Sequence, residues 1–345
     1  MKSLQRICIV PHPRGVGGPA SFRLRFSQAL AARGISVTAD LDDPAIDAVL
    51  VISGWRQLGK LWKLKRRGVP VVQRLDGINW MHRQTRFDLR YTLKAEYGNL
   101  LMNYTRNHIA DHIIYQSDFV VHRWEEVYGP APVSHTVIRN GVDLNQFSPD
   151  GTGDPPADHT RILVVEGTFD GGHDIGLKLA LDLAHELAQT HGLDIELVVA
   201  GRANEAVRAY WNTYAKVPLV WMGVVERAEI PALDRSAHVY FSAELNAPCP
   251  NSVIEALACG LPVAAYATGS LPELVGGEAG QVVPYTGDPW SLELPDNAQS
   301  ARMAEAVVEI LQNQPRFRKA ARARAEAEFG IQTLVDRYLE VLSSV

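Results

Sequence analysis

The chain has 345 residues, of which 46% are hydrophobic and 21% are charged, and its formal net charge at pH 7 is −5. This length suits two domains that each bury a core, while the acidic balance argues against a nucleic-acid partner, which calls for a basic surface. Three cysteines, Cys8, Cys249 and Cys259, are too few for a disulfide framework and favour a reducing compartment. No apolar run has the length that spans a bilayer, so we expect a cytoplasmic protein.

The first half of the chain alternates short apolar strands with helices. Strands are predicted at residues 6–10, 48–53 and 69–73, and a helix is predicted from about residue 20 to residue 33. This strand-helix-strand rhythm predicts an α/β fold with a doubly wound parallel sheet.

A glycine-rich loop, residues 15–18, lies between the first strand and the first helix. Glycine lets the backbone approach a ligand closely, and Gly17 and Gly18 are the candidate contacts. The strict dinucleotide-binding fingerprint is absent, and a tight turn without a ligand is the alternative interpretation.

Residues 54–68 hold six basic side chains and no acidic one. Leucines and Trp62 recur near one face, so residues 55–67 can form a basic amphipathic helix that makes a peripheral contact with an anionic membrane, on its inner face. A helix that covers the sheet and keeps its lysines in solvent is the alternative.

Asp76 stands at the carboxyl end of the strand that runs from residue 71. Parallel sheets bind ligands at this edge, although a turn former or a helix cap is the plain alternative for such an acid. Residues 78–110 are rich in polar and aromatic side chains and predict a polar helical excursion. The histidines His108, His112 and His122 have no spacing typical of metal ligands.

A linker rich in proline, glycine and aspartate, residues 150–157, predicts the domain boundary. The expected domains are residues 1–150 and residues 151–328, which repeat the strand-helix pattern. A last helix within residues 329–345 is expected to pack back on the first domain.

The stretch from Ser242 to Val275 is the most informative part of the chain. It reads as the end of a strand, a loop with two prolines, a helix from Asn251, a strand from Val263 and a turn that leads into another helix. Two helix N-termini therefore meet at the carboxyl ends of neighbouring strands, where parallel sheets bind ligands and where N–H groups suit phosphate. Glu255 lies on the first of these helices. The pattern predicts a site for a nucleotide diphosphate.

Two runs in this stretch resemble the signature of the family-4 retaining glycosyltransferases (glycosyl transferases group 1). They are Glu255-Ala-Leu-Ala-Cys-Gly-Leu-Pro-Val263 and Gly269-Ser-Leu-Pro-Glu273, and the run Asn140-Gly-Val-Asp143 resembles the family's hinge. The resemblance implies the GT-B fold, in which two Rossmann-like domains face each other across a cleft. Residues 1–150 are then the acceptor-side domain, in which residues 78–110 could supply acceptor contacts, and residues 151–328 are the nucleotide-sugar-binding domain. It also implies transfer of a hexosyl-type sugar from a nucleotide-diphosphate sugar to a hydroxyl of a glycan or lipid-linked acceptor, with retention and with neither metal nor cofactor.

The resemblance also assigns the site residues. Glu255 takes the place of the glutamate that accepts both ribose hydroxyls, and Asp76 stands where the family often has a histidine at the reaction centre. The remaining donor contacts that it implies are Gly17, Gly18, Gly167, Thr168, Arg202, Asn251, Ser252, Gly269, Ser270 and Leu271.

Two positions depart from the family pattern. Ala247 occupies the position of the first signature glutamate, and Glu244 is three residues early. Thr168 occupies the position of a diphosphate-binding arginine, and no lysine follows before Lys178. Arg202, Arg14 or a backbone anion nest at glycines 171 and 172 could bind the diphosphate instead.

These departures leave alternatives open. One is a catalytically weak or inactive glycosyltransferase-like protein that binds a nucleotide, a glycan or a partner. Another is a different GT-B chemistry, such as a sugar-nucleotide epimerase or a phosphorylase, because fold alone does not fix function. The donor sugar, the acceptor, the linkage and the oligomeric state are not readable from the sequence.

Overall fold

The computed structural model describes residues 4–12, 18–84, 88–171, 174–291 and 299–345. The chain forms two compact units. The first contains Met1–Gly141 and Ile331–Val345, and the second contains Val142–Gly330. The chain therefore changes unit inside the Asn-Gly-Val-Asp motif, nine residues before the linker boundary at residue 150.

The first unit is built on a parallel sheet. Its strands are β1 (Arg6–Val10), β2 (Ser36–Thr38), β3 (Ala48–Ile52), β4 (Val71–Leu75), β5 (His112–Tyr115) and β6 (His135–Val137). They pair in the order β2-β1-β3-β4-β5-β6, all parallel. The order reverses between β1 and β3, which makes this the topological switch point of the first sheet.

Helices flank this sheet. They are α1 (Gly18–Ala32), α2 (Leu58–Arg66), α3 (Leu89–Tyr104) and α4 (Asp118–Tyr128), with a 3₁₀ turn at Met81–Arg83 and a π-helical turn at Thr105–Ile109. Every residue of β3 and β4 is buried, because helices cover both faces of a parallel sheet.

The second unit is built on another parallel sheet. Its strands are β7 (Thr160–Thr168), β8 (Ile195–Arg202), β9 (Leu219–Gly223), β10 (Val239–Phe241), β11 (Val263–Tyr266) and β12 (Gly280–Val283). They pair in the order β12-β11-β10-β7-β8-β9, again all parallel. The switch point of this sheet lies between β7 and β10, and the predicted doubly wound parallel architecture is confirmed in both units.

The helices of the second unit cover both faces of its sheet. They are α5 (Ile175–Thr190), α6 (Glu205–Tyr214), α7 (Ile230–Arg235), α8 (Asn251–Ala258), α9 (Leu271–Val275), α10 (Ser300–Gln312) and α11 (Gln314–Glu328). One apolar cluster joins the sheet to α5 and α10, and a second joins its other face to α8, α9 and α11.

The last helix, α12 (Ile331–Ser344), belongs to the first unit. The Tyr338 ring lies 5.4 Å from the ring of Phe22 and 4.9 Å from that of Phe26, both on α1. These buried aromatic rings are what attach the end of the chain to the first unit.

The basic segment forms α2, and its apolar side faces its own unit. Leu61 and Leu64 are buried in the core below the sheet. The Nζ atoms of Lys60 and Lys65 pair with Asp42 and Asp111, the latter at 2.6 Å. The structure thus bears out the alternative of a helix that covers the sheet, with no apolar face of α2 left for a membrane. Among the described helices, none combines the length and the hydropathy that crossing a bilayer requires.

Candidate functional site

The predicted donor contacts of the second unit gather at the carboxyl ends of four neighbouring strands. We call this region the switch-point edge and define it by Glu166–Thr168 at the end of β7, Gly201–Arg202 at the end of β8, Ser242–Ala247 after β10 and Thr268–Ser270 after β11. Open α/β sheets bind their ligands at such an edge, next to the strand pair where the order reverses.

A bulge shapes the first part of this edge. The pairing of β7 with β8 shifts register between Val165 and Thr168, so that Glu166 and Gly167 lie opposite Gly201. Gly201 has φ +146°, and a Cβ there would lie 2.2 Å from the Glu166 carbonyl oxygen. Only glycine allows this approach, and the bulge re-aims the Glu166 side chain. Strand β7 runs through this bulge and ends at Thr168.

Arg202 lies beside Thr168, which occupies the position of the family's diphosphate-binding arginine. Thr168 and Arg202 are register partners on β7 and β8. The Arg202 side chain is 67% exposed, and its Nε lies 3.5 Å from the Asp170 carboxylate, which also accepts a hydrogen bond from the Asn204 N–H. A guanidinium held this loosely at the edge is available to an anionic ligand, because exposed ion pairs of this kind contribute little.

The loops after β10 and β11 pack tightly on each other. Ala247 is fully buried, and its carbonyl accepts a hydrogen bond from the Ser270 N–H at 2.9 Å. Gly269 has φ +58°, and a Cβ there would lie 2.8 Å from both the N and O atoms of Ala247. The Gly-Ser turn is therefore held against Ala247 by backbone contact, which explains why glycine is needed in this turn.

Helix α8 carries three of the predicted contacts. It begins at Asn251, and its N-cap, Pro250, has no side-chain cap. The Ser252 hydroxyl is hydrogen-bonded to the phenol of Tyr240, which donates to the Val165 carbonyl at 3.0 Å. Glu255 is buried, with 8% of its surface exposed. The helix thus presents uncapped first-turn N–H groups, as the phosphate prediction requires, while its Ser252 hydroxyl is engaged inside the unit.

Three hydroxyl groups at the edge are buried without a hydrogen-bond partner among the described residues. They belong to Ser242, Thr268 and Ser270, whose exposed fractions are 2%, 7% and 0%. Buried hydroxyls are almost always hydrogen-bonded in native proteins, so such a cluster indicates bound water or a ligand.

Two carboxyl groups meet across the switch point. Glu166 lies near the end of β7 and Glu244 follows β10, and these strands are neighbours. Burial raises the pKa of Glu166 well above its usual range, and the nearby Glu244 carboxylate raises it further. The pKa of Glu244 is raised to about 7 by desolvation, although the side chain keeps an exposed surface. The Glu244 charge therefore disfavours ionisation of Glu166, as a nearby like charge does.

The other predicted residues belong to the first unit. The Asp76 carboxylate accepts a hydrogen bond from the Ser53 hydroxyl at 3.0 Å, and its backbone carbonyl accepts one from the Trp124 indole. Burial raises the pKa of Asp76, and Arg74 and Ser53 oppose that rise. Ser53 has φ +60°, a strained value for a side chain that must face Asp76.

Arg14 and Gly17, in and beside the glycine-rich loop, and Gly172 of the predicted anion nest lie outside the described residues. Gly18 begins α1, and a Cβ there would meet nothing within 4 Å. The structure therefore brings Thr168, Arg202, Gly269 and Ser270 to one edge of the second unit, with α8 beside them. Asp76 and Gly18 lie in the first unit.

The sequence singled out Ser270 as a donor contact but did not single out Glu166, Ser242 or Thr268. The only signal available for these three residues was their place at the carboxyl ends of neighbouring parallel strands, where such sheets bind ligands. In the described ranges, no group of three His, Cys, Asp or Glu side chains is arranged to hold a metal ion.

Comparison with known proteins agrees with the second unit's architecture. Residues 160–313 match the family model described as "Glycosyl transferases group 1". One component of the human phosphatidylinositol N-acetylglucosaminyltransferase is 26% identical over 145 residues, a match that covers 41% of this chain and 28% of that protein. The chain thus spans less than two thirds of this relative.

Solved structures resemble the whole chain. Sucrose-phosphate synthase from Thermosynechococcus elongatus superposes with a TM-score of 0.72 at 17% identity, covering 99% of this chain and 100% of that one. The Anabaena protein HepE in complex with UDP-glucose gives a TM-score of 0.66 at 16% identity, with 99% and 100% covered. A glycosyltransferase from Rickettsia africae gives 0.69 at 15% identity, with 99% and 98% covered. The predicted GT-B fold is confirmed.

Proposed function

We propose that this chain, which has the GT-B fold and carries a glycosyl transferases group 1 domain, is a glycosyltransferase that takes its sugar from a nucleotide-diphosphate donor. The acceptor is a hydroxyl of a glycan or a lipid-linked glycan, the configuration is retained, and neither a metal nor another cofactor takes part. The observation that carries the proposal is the switch-point edge, where the uncapped start of α8, the Gly-Ser turn and Arg202 stand together.

The edge can neutralise the leaving diphosphate with its own groups. The anomeric carbon loses its bond to the diphosphate oxygen, which departs with the electron pair, and gains a bond to the acceptor oxygen, whose proton is released. The developing charge on the diphosphate suits the first-turn N–H groups of α8 and the Arg202 guanidinium. Glu255, one turn further along α8, is the proposed partner of the ribose hydroxyls.

The carboxyl pair offers the polar contact that Ala247 lacks. Glu244 lies in the loop that contains Ala247, Glu166 lies at the end of the neighbouring strand β7, and a carboxyl group that is kept protonated by its neighbour can both donate and accept hydrogen bonds. We place the donor sugar against this pair. Asp76 is the proposed polar group of the first unit at the reaction centre, held by Ser53.

The lipid-linked acceptor is supported by the name of the human relative, which includes phosphatidylinositol. The donor class is supported by the UDP-glucose in the HepE structure. We place the protein in the cytoplasm, with a peripheral position on the inner membrane face when the acceptor is a lipid.

The proposal is tested by incubating the purified protein with UDP-, GDP- and ADP-sugars and following release of the nucleoside diphosphate, with and without acceptor alcohols and lipid-linked glycans. We expect slow release from one donor, faster release with the right acceptor, and a product with the donor's anomeric configuration. Release that requires an added divalent cation, or an inverted product, would contradict the corresponding part of the proposal.

A second candidate function is a glycosyltransferase-like protein that binds a nucleotide or a glycan without turnover. Ala247 favours it, because a fully buried methyl group stands where the family has a carboxylate. Tight donor binding without any release would favour this candidate, above all if the variant Ala247→Glu gained activity.

A further inference from the structure

One face of α3 exposes a continuous row of large apolar side chains. Three leucines and three tyrosines on this helix are exposed, with fractions of 69% for Leu89, 62% for Leu93, 61% for Leu100, 44% for Tyr91, 45% for Tyr97 and 37% for Tyr104. Five of them recur at a spacing of three or four residues, namely 89, 93, 97, 100 and 104, so they share one side of the helix. We call these five residues the α3 stripe.

The stripe is long and is not needed to hold the helix in place. Fifteen steps along an α-helix span about 22 Å, and the opposite side of α3 is anchored in the unit by Ala95, Asn99 and Met102, all buried. Single exposed leucines are common, but a contiguous exposed row marks an interaction surface.

Positive charge lies along the stripe. The Arg56 guanidinium stands over the Tyr97 ring at 5.7 Å, and Arg90 and Lys94 lie on the neighbouring exposed flank of α3. None of these three cations forms an ion pair within the described part of the chain. Of the nearby acids, Glu96 is held by Arg83 and His82, which lower its pKa to about 2, and Asp88 stands at the start of the helix.

We propose that the α3 stripe docks the protein on an anionic lipid surface. Leucines enter the acyl region, tyrosines suit the boundary because they join an apolar ring to a polar tip, and the flanking cations meet lipid phosphates. The flanking cations favour an anionic lipid surface as the binding partner. A row of apolar side chains edged by arginine and lysine that form no ion pair in the described part of the chain is complementary to such a surface. The choice of lipid also rests on the proposed lipid-linked acceptor, but the surface itself does not.

The docking surface differs from the one that the sequence indicated. The apolar side of α2 is buried in the first unit, whereas α3, which the sequence described only as a polar excursion, exposes its apolar side. The exposed cations of α2 can add attraction, but they offer nothing that enters a bilayer.

Vesicle sedimentation tests the proposal without using enzymatic activity. The full chain is mixed with phosphatidylcholine vesicles that contain phosphatidylglycerol, and with neutral phosphatidylcholine vesicles as the reference. We expect pelleting with the anionic vesicles, weakened about tenfold or more by Leu93→Gln with Leu100→Gln, and to a similar degree by Arg90→Gln with Lys94→Gln. Glutamine keeps the helix propensity of these positions.

Matched controls lie in the second unit. Met222 and Val224 are 49% and 60% exposed, and Met222→Gln with Val224→Gln should leave pelleting unchanged. Arg302→Gln with Lys319→Gln removes two exposed cations, and thus the same charge as Arg90→Gln with Lys94→Gln. This double variant should also leave pelleting unchanged.

Three results would overturn the proposal. They are pelleting that the stripe variants do not alter, equal pelleting with neutral vesicles, and a wild-type dimer that Leu93→Gln with Leu100→Gln dissociates, which would assign the stripe to a second copy of the chain. Release of the nucleoside diphosphate from a sugar donor is measured on the same samples. A failure of membrane docking can then be distinguished from a failure of the proposed function.

Discussion

The two sheets share parallel topology, but their carboxyl edges are built differently. In the second unit, backbone contacts shape the edge, since Gly201 lies against Glu166 and Gly269 against Ala247 with no room for a Cβ. In the first unit, a side-chain hydrogen bond between Ser53 and Asp76 shapes it, and Gly18 has open space around it. Under the proposed function, the rigid edge of the second unit would hold the nucleotide, and the polar side chains of the first unit would face the acceptor.

The largest effect is expected from a substitution that disrupts the rigid edge of the second unit. Gly201→Ala should lower the free energy of unfolding by about 3 kcal/mol, because it adds a Cβ at φ +146° against the Glu166 carbonyl. Denaturant unfolding measures this change. Gly167→Ala is the control, since Gly167 lies in the same bulge with nothing within 4 Å of its Cβ position. Equal losses for the two variants would show that backbone contact does not shape the edge.

The next effect tests where the diphosphate lies. Arg202→Ala should weaken binding of a nucleoside diphosphate by about 1.5–3 kcal/mol, the range for a hydrogen bond to a charged group, and leave binding of the bare nucleoside unchanged. Calorimetric titration with both ligands measures the difference. If both lose affinity equally, Arg202 does not contact the phosphates.

A comparable or smaller effect tests the ribose contact. Glu255→Gln should weaken nucleotide binding by about 1–3 kcal/mol, because it removes a charged acceptor from a buried position. Nucleoside and diphosphate should lose affinity together, in contrast to Arg202→Ala. Glu226→Gln, an exposed site in the same unit, is the control. If Glu255→Gln binds the nucleotide as tightly as Glu226→Gln does, Glu255 does not contact the ribose.

The smallest effect concerns the first unit. Ser53→Gly removes the hydroxyl that lowers the Asp76 pKa and also relieves the strain at φ +60°. The Asp76 pKa should then rise, so the pH below which transfer is lost should move upward, while nucleotide affinity stays the same. A pH profile of kcat measures the shift. If the acidic limb of this pH profile does not move, Asp76 does not take part in the reaction.

Much of this architecture could be predicted from the sequence, because apolar runs and glycine punctuation report on strands and turns. The Glu255 helix and the Gly269 turn were found in this way. The bulge at Glu166 was not, since it depends on Gly201 in another strand, and register shifts leave no local pattern.

The apolar side of α2 and the α3 stripe show a second limit. Both helices carry leucines and aromatic residues at helical spacing, and the periodicity alone cannot tell which row faces the core. The packing decides, burying Leu61 and Leu64 on α2 and leaving Leu93 and Leu100 of α3 in solvent. The roles of Thr168 and Ala247 likewise depend on neighbours in space, which the family pattern does not contain.

The most direct test of the central claim, that the second unit's edge binds a nucleotide-diphosphate sugar, is a titration of the wild type and Glu255→Gln with UDP-, GDP- and ADP-sugars. We predict saturable binding of donors of one nucleotide by the wild type, without added metal, and clearly weaker binding by Glu255→Gln. Absence of binding for every donor, or equal affinity of the two proteins, would contradict the claim.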